Sequence, residues 1–333
     1  MIACMRLAWV AVLLACASGV RGADEAKRIK GRVLVDSVHA HNYLKPAEDA
    51  EAYSYHIAYG HRKAFGFLQQ QGVSVEEIKS GRLDGAALAK CDVLFINLVS
   101  AELPPFYVSE IQAIKAFIET GGSLFVITDH TNCYYHTHKL APLMDELGIK
   151  LFNESACEKG ENALSKQPGW ITITRFEKHA VTTGLSCIAF QAGGTVDDRF
   201  AVAKTSDQAW GDQWQWHPYG QDDKPGFYGN WLRDGNERHG PLGVVLAKEL
   251  GKGRIVIVAD QNLFGDPFIN YADNYKLFFN VMAAAQQRAA EQFGLLHATF
   301  TASIDVRAIQ PRRLRRQHTC RVFQFPRGGW AAH

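Results

Sequence analysis

The fold is decided by the stretch Gly121-Gly122-Ser123-Leu124-Phe125-Val126-Ile127-Thr128-Asp129-His130. A glycine pair stops whatever helix precedes it, and the apolar run that follows is too continuous for a strand with one wet face. It reads as a central strand, residues 124–128, that breaks off at Asp129-His130. The same grammar recurs in Gly251-Lys252-Gly253-Arg254-Ile255-Val256-Ile257-Val258-Ala259-Asp260, in Val33-Leu34-Val35-Asp36 and in Val93-Leu94-Phe95-Ile96-Asn97. Short β-branched runs that alternate with amphipathic stretches are the signature of a mostly parallel, doubly wound α/β sheet covered on both faces.

Working outward, a helix is expected over residues 55–71, closed by Gly72, and a strand over 73–78. Ser109 reads as the cap of a helix that buries Ile111, Ile114, Phe117 and Ile118, and residues 139–147 read as a short helix stopped by Gly148. After Leu151 the rhythm changes. Residues 171–176, 187–190, 200–204 and 243–248 read as strands joined by loops, either an antiparallel extension of the sheet or a flap. The last unit is a strand over 254–259 and a helix over 274–290, with Gly251-x-Gly253 as the hairpin turn before it.

The chain has 333 residues, of which 47% are hydrophobic and 21% charged, and its net charge is +2. These values exclude collagen-like, disordered and disulfide-dense classes, and no apolar run beyond the N-terminus is long enough to predict a transmembrane helix. The charge is unevenly spread. Residues 288–333 hold eight arginines against Glu291 and Asp305, and residues 23–287 carry about −6. The whole-chain basicity therefore gives no ground for a nucleic-acid partner.

Residues 1–22 read as a secretory signal peptide, with a basic start at Arg6, an apolar stretch over residues 7–17 and the cleavage site Val20-Arg21-Gly22. Leu13-Leu14-Ala15-Cys16 fits a lipoprotein box as a variant, which would leave Cys16 lipidated. The expected location is periplasmic or extracellular, where disulfides are permitted. Five cysteines remain after cleavage at Gly22; Cys91 reads as a small buried hydrophobe, and Cys133 with Cys157 is the pair in which a bridge is expected first. The folded α/β unit is expected over 23–287, with an aromatic-rich insertion at about 205–240. The tail over 288–333 reads as disordered, or as a basic segment that touches anionic surface groups.

Each parallel strand stops at an acid or amide: Asp36, Asn97, Asp129 and Asp260, followed by Gln261 and Asn262. Ligands of open α/β sheets bind outside the carboxyl ends of the strands, so these residues are expected to share one crevice. His39 and His41 follow the first strand, and His130, Cys133, His136 and His138 follow the central one. Crowded carboxylates with histidines nearby can shuttle protons or hold a divalent metal, for which His39, Asp129 and His130 are the candidate ligands. Asp and Asn at strand ends also cap helices and hold turns, and His136 and His138 read as residues of a tyrosine-rich surface loop. The stretch 210–239 interleaves Trp210, Trp214, Trp216, Tyr219, Phe227, Tyr228 and Trp231 with polar residues. It suits carbohydrate stacking, with Trp214 and Trp216 as candidate ligand contacts, or else forms its own small core. No G-x-S-x-G or G-x-C-x-G elbow, P-loop, dinucleotide fingerprint or H-E-x-x-H occurs.

Together with residues 140–149 and His179-x-Val181-Thr182-x-Gly184, the strand-end motifs resemble the class I glutamine amidotransferase-like superfamily over residues 31–285. The similarity is to an exported branch akin to ThuA-like and intraflagellar-transport GIFT domains. The resemblance implies a flavodoxin-like sandwich with its site at the strand carboxyl ends. Where amidotransferases carry a cysteine elbow this chain has Ile127-Thr128-Asp129-His130-Thr131, and Cys133 stands three residues too late, so thiolate glutaminase chemistry is not expected. Two readings follow. One is binding of a small polar or carbohydrate-like ligand through Asp36, His39, His41, Asn97, Asp129, His130, Asp260 and Asn262. The other is a hydrolase in which Asp129 or Asp36 is the base and His130 or His39 the acid or a metal ligand.

Overall fold

The continuous apolar runs form the middle of one large sheet. The computed structural model describes residues 31–40, 60–213 and 228–291. The leader, Cys16, His41, Trp214, Trp216 and the chain after Glu291 lie outside the described residues.

The strands in chain order are β1 (Arg32–Asp36), β2 (Ser74–Ile78), β3 (Val93–Ile96), β4 (Ser123–Ile127), β5 (Glu154–Cys157), β6 (Trp170–Ile173), β7 (Arg175–Phe176), β8 (Ile188–Gln191), β9 (Ala201–Lys204), β10 (Trp210–Gln213), β11 (Arg238–His239), β12 (Gly243–Leu250) and β13 (Gly253–Val258). The helices are α1 (Arg62–Gln70), α2 (Gly85–Leu88), α3 (Val108–Thr120), α4 (His136–Glu146) and α5 (Asn274–Glu291). The main sheet runs β2-β1-β3-β4-β13-β12-β9-β7, parallel from β2 to β13 and antiparallel beyond. Its parallel half has the flavodoxin-like order, with the switch in strand order between β1 and β3.

Every residue of β3 and β4 is buried, as expected for strands covered on both faces. One face is filled by an aromatic cluster in which Phe125 meets Phe95, Phe264 and Phe278 at ring separations of 5.1, 6.0 and 6.3 Å. The late strands resolve as both expected forms, since β12, β9 and β7 extend the sheet while β6 and β8 pair separately. A third sheet, β11-β10-β5, draws its edge from the aromatic-rich insertion.

Several local details differ from the sequence expectation. Helix α3 is capped at Tyr107 rather than Ser109, because Glu110 at the third helical position accepts the Tyr107 N–H at 2.9 Å. Helix α4 begins at His136, so His136 and His138 belong to a helix and not to a surface loop, and His136 is buried. Among the described residues α1 starts at Arg62, with His61 as N-cap. None of the four described cysteines forms a disulfide, so the expected Cys133–Cys157 bridge is absent: Cys157 sits in β5 paired with Trp210, whereas Cys133 packs against Leu98. Cys91 is buried as expected, and burial pushes its thiol up to about 12.

Phe125→Ala removes the hub of the aromatic cluster and should cost about 3–5 kcal/mol of stability, read as a lower urea midpoint with little change in slope.

Candidate functional site

The geometry of the site follows from strand register. Strands β4 and β13 pair parallel with Ile127 opposite Val258, so the residues two further on, Asp129 and Asp260, lie side by side at the carboxyl edge. Neither carboxyl reaches water freely, and each is held by backbone N–H groups. Asp260 accepts three: Gln191 N at 2.6 Å on Oδ2, and Asn262 N at 2.8 Å and Leu263 N at 3.1 Å on Oδ1. Asp129 accepts two, from His130 N at 2.7 Å and Gln261 N at 3.2 Å.

Burial, then the neighbouring Asp260 charge, holds Asp129 well above the usual carboxylate range. Burial pushes Asp260 up to about 7 against the pull of its three donors. The extra donor favours the ionised form at Asp260, so Asp129 keeps the proton at neutral pH. The pair therefore presents one neutral carboxyl beside one carboxylate.

The loop after β4 is shaped by side-chain hydrogen bonds and by unusual backbone. Thr131, Tyr134 and Tyr135 all have positive φ, of 45°, 53° and 57°. For residues with a Cβ each costs roughly 1–2 kcal/mol, which the surrounding contacts must offset. His136 supplies one such contact. Its Nδ1–H donates to Cys133 O at 2.9 Å, and its Nε2 accepts the Asp129 N–H at 3.4 Å. Burial lowers this imidazole to about 4, so it stays neutral in that role. Asn132 ties the loop to α4, with Nδ2 2.7 Å from His138 Nδ1 and Oδ1 accepting from Thr137 N at 3.2 Å.

His130 stands over the carboxyl pair. Its Nδ1 lies 2.8 Å from the Thr131 hydroxyl and its Nε2 3.9 Å from Asp129 Oδ1. Its ring lies 4.3 Å from that of Tyr228, which in turn stacks on Trp231 at 5.3 Å. Asp129, His130 and Cys133 each offer a ligand atom within 4.8 Å of the others. Carboxylate, imidazole and thiolate together suit a borderline-soft divalent ion such as zinc.

The segment after β8 closes the site from one side. Gly194 donates its N–H to Ala259 O at 2.7 Å, and a Cβ there would stand 2.4 Å from Asp129 O. A side chain at Gly193 would meet Ala259 O at 2.3 Å. Asn262 is half-buried and donates from Nδ2 to Gln191 O at 3.2 Å, while Asn97 lies buried one residue past β3.

Asp36 and His39 do not join this group. Val35, Phe95 and Phe125 stand in one row across β1, β3 and β4. Asp36 is one residue past that row and Asp129 four past it, so the two are separated by two strand spacings across, about 10 Å, and three residues along, also about 10 Å. Asp36 instead partners His39, whose Nδ1 is 2.9 Å from Asp36 Oδ2. Glu110 Oε2 lies 3.6 Å from His39 Nε2.

Sequence reasoning passed over Glu110, Gln191, Gln261 and the backbone amides that hold the carboxyls. Only Glu110 carried a signal, as the acid of a capping box. Tyr228 was visible within the aromatic stretch but not as the partner of His130.

The fold and site together define an α/β domain of flavodoxin-like topology with an Asp–His loop where a thiol elbow would stand. No protein-family model and no curated protein matches this sequence. Among solved structures the chain is similar to the mmIFT52 N-terminal domain, with a TM-score of 0.52 at 14% identity over 76% of this chain and 97% of that one. A cytoplasmic protein from Salmonella typhimurium LT2 aligns at a TM-score of 0.45 and 13% identity, over 77% of this chain and 99% of that one. A protein described as ThuA-like from Bacteroides uniformis aligns at 0.41 and 14%, over 78% and 91%. The shared architecture with the mmIFT52 domain agrees with the fold expected from the sequence.

Because the native pair holds more protons than the unfolded chain above the ordinary carboxylate range, its contribution to stability falls as pH rises from about 4 through about 7. Asp129→Asn removes the raised titration of that carboxyl. Urea unfolding at about pH 5 and about pH 8 should show a smaller loss with rising pH in the variant than in the parent, because only Asp260 still gives up its proton late.

Proposed function

We propose that the chain is an exported domain of amidotransferase-like fold that lacks the cysteine nucleophile and binds a small polar, carbohydrate-like ligand at the carboxyl ends of β4 and β13. The observation that carries this reading is the buried Asp129–Asp260 pair beneath His130 and Tyr228. A neutral carboxyl next to a carboxylate offers a donor and several acceptors to hydroxyl groups. The Tyr228–Trp231 stack offers an aromatic face to the apolar side of a sugar ring. Trp214 and Trp216 belong to the same stretch and are candidates for further stacking. Trp231 holds a φ of 60°, a strained backbone for so bulky a residue and the kind of outlier that gathers at ligand sites. Export rests on the basic start, apolar stretch and cleavage site of residues 1–22.

A second reading is favoured by the Asp129–His130–Cys133 cluster. Three protein ligands around a divalent ion leave a fourth position for water, the arrangement of a metal-assisted hydrolase. The Thr131 hydroxyl on His130 Nδ1 would then orient Nε2 as the ligating atom.

Saturation-transfer NMR of the untagged protein against neutral mono- and disaccharides tests the first reading. Binding should weaken about tenfold or more in Asp129→Asn, His130→Ala and Tyr228→Ala. Unchanged binding in all three variants overturns it. Elemental analysis of the same preparation tests the second: about one zinc per chain, lost in Cys133→Ser and His130→Ala, would establish a metal centre.

A further inference from the structure

A cavity of about 370 Å³ opens at the same carboxyl edge, on the β1 side of the sheet, lined by residues that follow β1, β2 and β3, among them His39, Lys79, Arg82, Tyr107 and Glu110. It lies beside the switch in strand order between β1 and β3, where loops diverge and leave room for a ligand. Its floor and rim have opposite character.

The floor is the Asp36–His39 pair. Asp36 Oδ1 and Oδ2 lie 3.1 and 2.9 Å from His39 Nδ1, and Asp36 Oδ1 also accepts from Val38 N at 2.9 Å and His39 N at 3.2 Å. A carboxylate only accepts, so Nδ1 carries a proton toward Asp36. The ring is pinned by stacking on Phe106 at 4.1 Å and is only 1% exposed. Nε2 nevertheless has no hydrogen-bond partner among the described residues. The nearest charged atom is Glu110 Oε2 at 3.6 Å, which already accepts from Tyr107 N at 2.9 Å. A buried polar nitrogen without a partner is costly. A ligand hydroxyl at Nε2 would satisfy it, donating to the bare nitrogen or accepting from its proton.

The rim is cationic. The Arg82 guanidinium lies 3.4 Å over the Tyr107 ring, which fixes its position, and its Nη1 stands 4.0 Å from Glu110 Oε2. Lys79 stands at the same mouth, 3.2 Å from Glu77 Oε2 and largely exposed. Two cations above an unpartnered imidazole nitrogen suit a ligand with an anionic group at one end and hydroxyls at the other.

We propose that this cavity binds a small hydroxylated anion, its carboxylate or phosphate between Lys79 and Arg82 and a hydroxyl hydrogen-bonded to His39 Nε2. The site is separate from the Asp129–Asp260 pair, goes beyond the function proposed above and does not depend on it.

Isothermal titration of the full chain with glucuronate, glucose 6-phosphate, glucose and acetate tests the assignment. Glucuronate or glucose 6-phosphate should bind at least about tenfold more tightly than glucose and acetate. Binding of the first alone identifies a carboxylate ligand and of the second alone a phosphate ligand, and either result supports the site. The exposed pair Lys79→Ala/Arg82→Ala should lose about tenfold or more in affinity, and so should His39→Asn, which keeps a donor toward Asp36 but removes Nε2. If His39→Asn fails to fold, the exposed pair decides alone. Binding of neutral saccharides at the β4 crevice should be unchanged in Lys79→Ala/Arg82→Ala, which separates the two sites. Equal affinity for glucose, no binding of either anion at about 10 mM, or unchanged affinity in the Lys79/Arg82 variant overturns the proposal.

Discussion

The constraint on which the rest depends is the in-register parallel pairing of β4 with β13. It sets two aspartates beside each other where no water can dilute their repulsion, and the neighbouring structure is organised around that. Five backbone N–H groups converge on the two carboxyls from the 130, 191, 261, 262 and 263 positions. To deliver them, the chain must bring Gln191 and the glycines after it against the ends of both strands. That explains why Gly193 and Gly194 leave no room for a side chain. It also gives the left-handed residues of the 131–135 loop a purpose, because they turn the chain sharply enough for His136 to reach back to the Asp129 amide.

The same edge of the sheet carries two chemically different centres. Around β4 and β13 the acids are paired with each other and share a proton. Around β1 the acids are paired with an imidazole, and Asp36, His39 and Glu110 form a row beneath an open cavity. Strand β3, whose four residues are all buried, separates the two.

The fold was largely legible in the sequence, and the reason is physical. Strands buried on both faces must be uniformly apolar, so Val33–Val35, Val93–Ile96 and Leu124–Ile127 announce themselves. The small sheet was not legible, since Glu154–Cys157 and Trp210–Gln213 mix polar, small and aromatic residues and show no period. Of the candidate site, the strand-end positions of Asp36, Asn97, Asp129 and Asp260 were readable because strands stop where apolar runs stop. Which of them meet depends on strand order and register, information that no single strand contains, and so Asp36 was grouped with Asp129 and Asp260, from which it stands apart, as well as with His39, which it meets. Ser109 looked the better cap by residue type, which hid Glu110 as a buried acid inside an otherwise apolar helix face.

The hairpin that delivers β13 has a consequence for how the molecule is made. Ser123 pairs with Arg254, 131 positions later, while β1 to β4 find their neighbours within a much shorter span. Closing so long a loop is slow, and the entropy is lost before the contacts form. Until the last sixth of the described chain arrives, β4 is an uncapped apolar edge of the kind that pairs with other chains. A truncation before residue 253 would therefore leave an adhesive half-sheet, and the carboxyl pair comes into being at the final closure of the sheet.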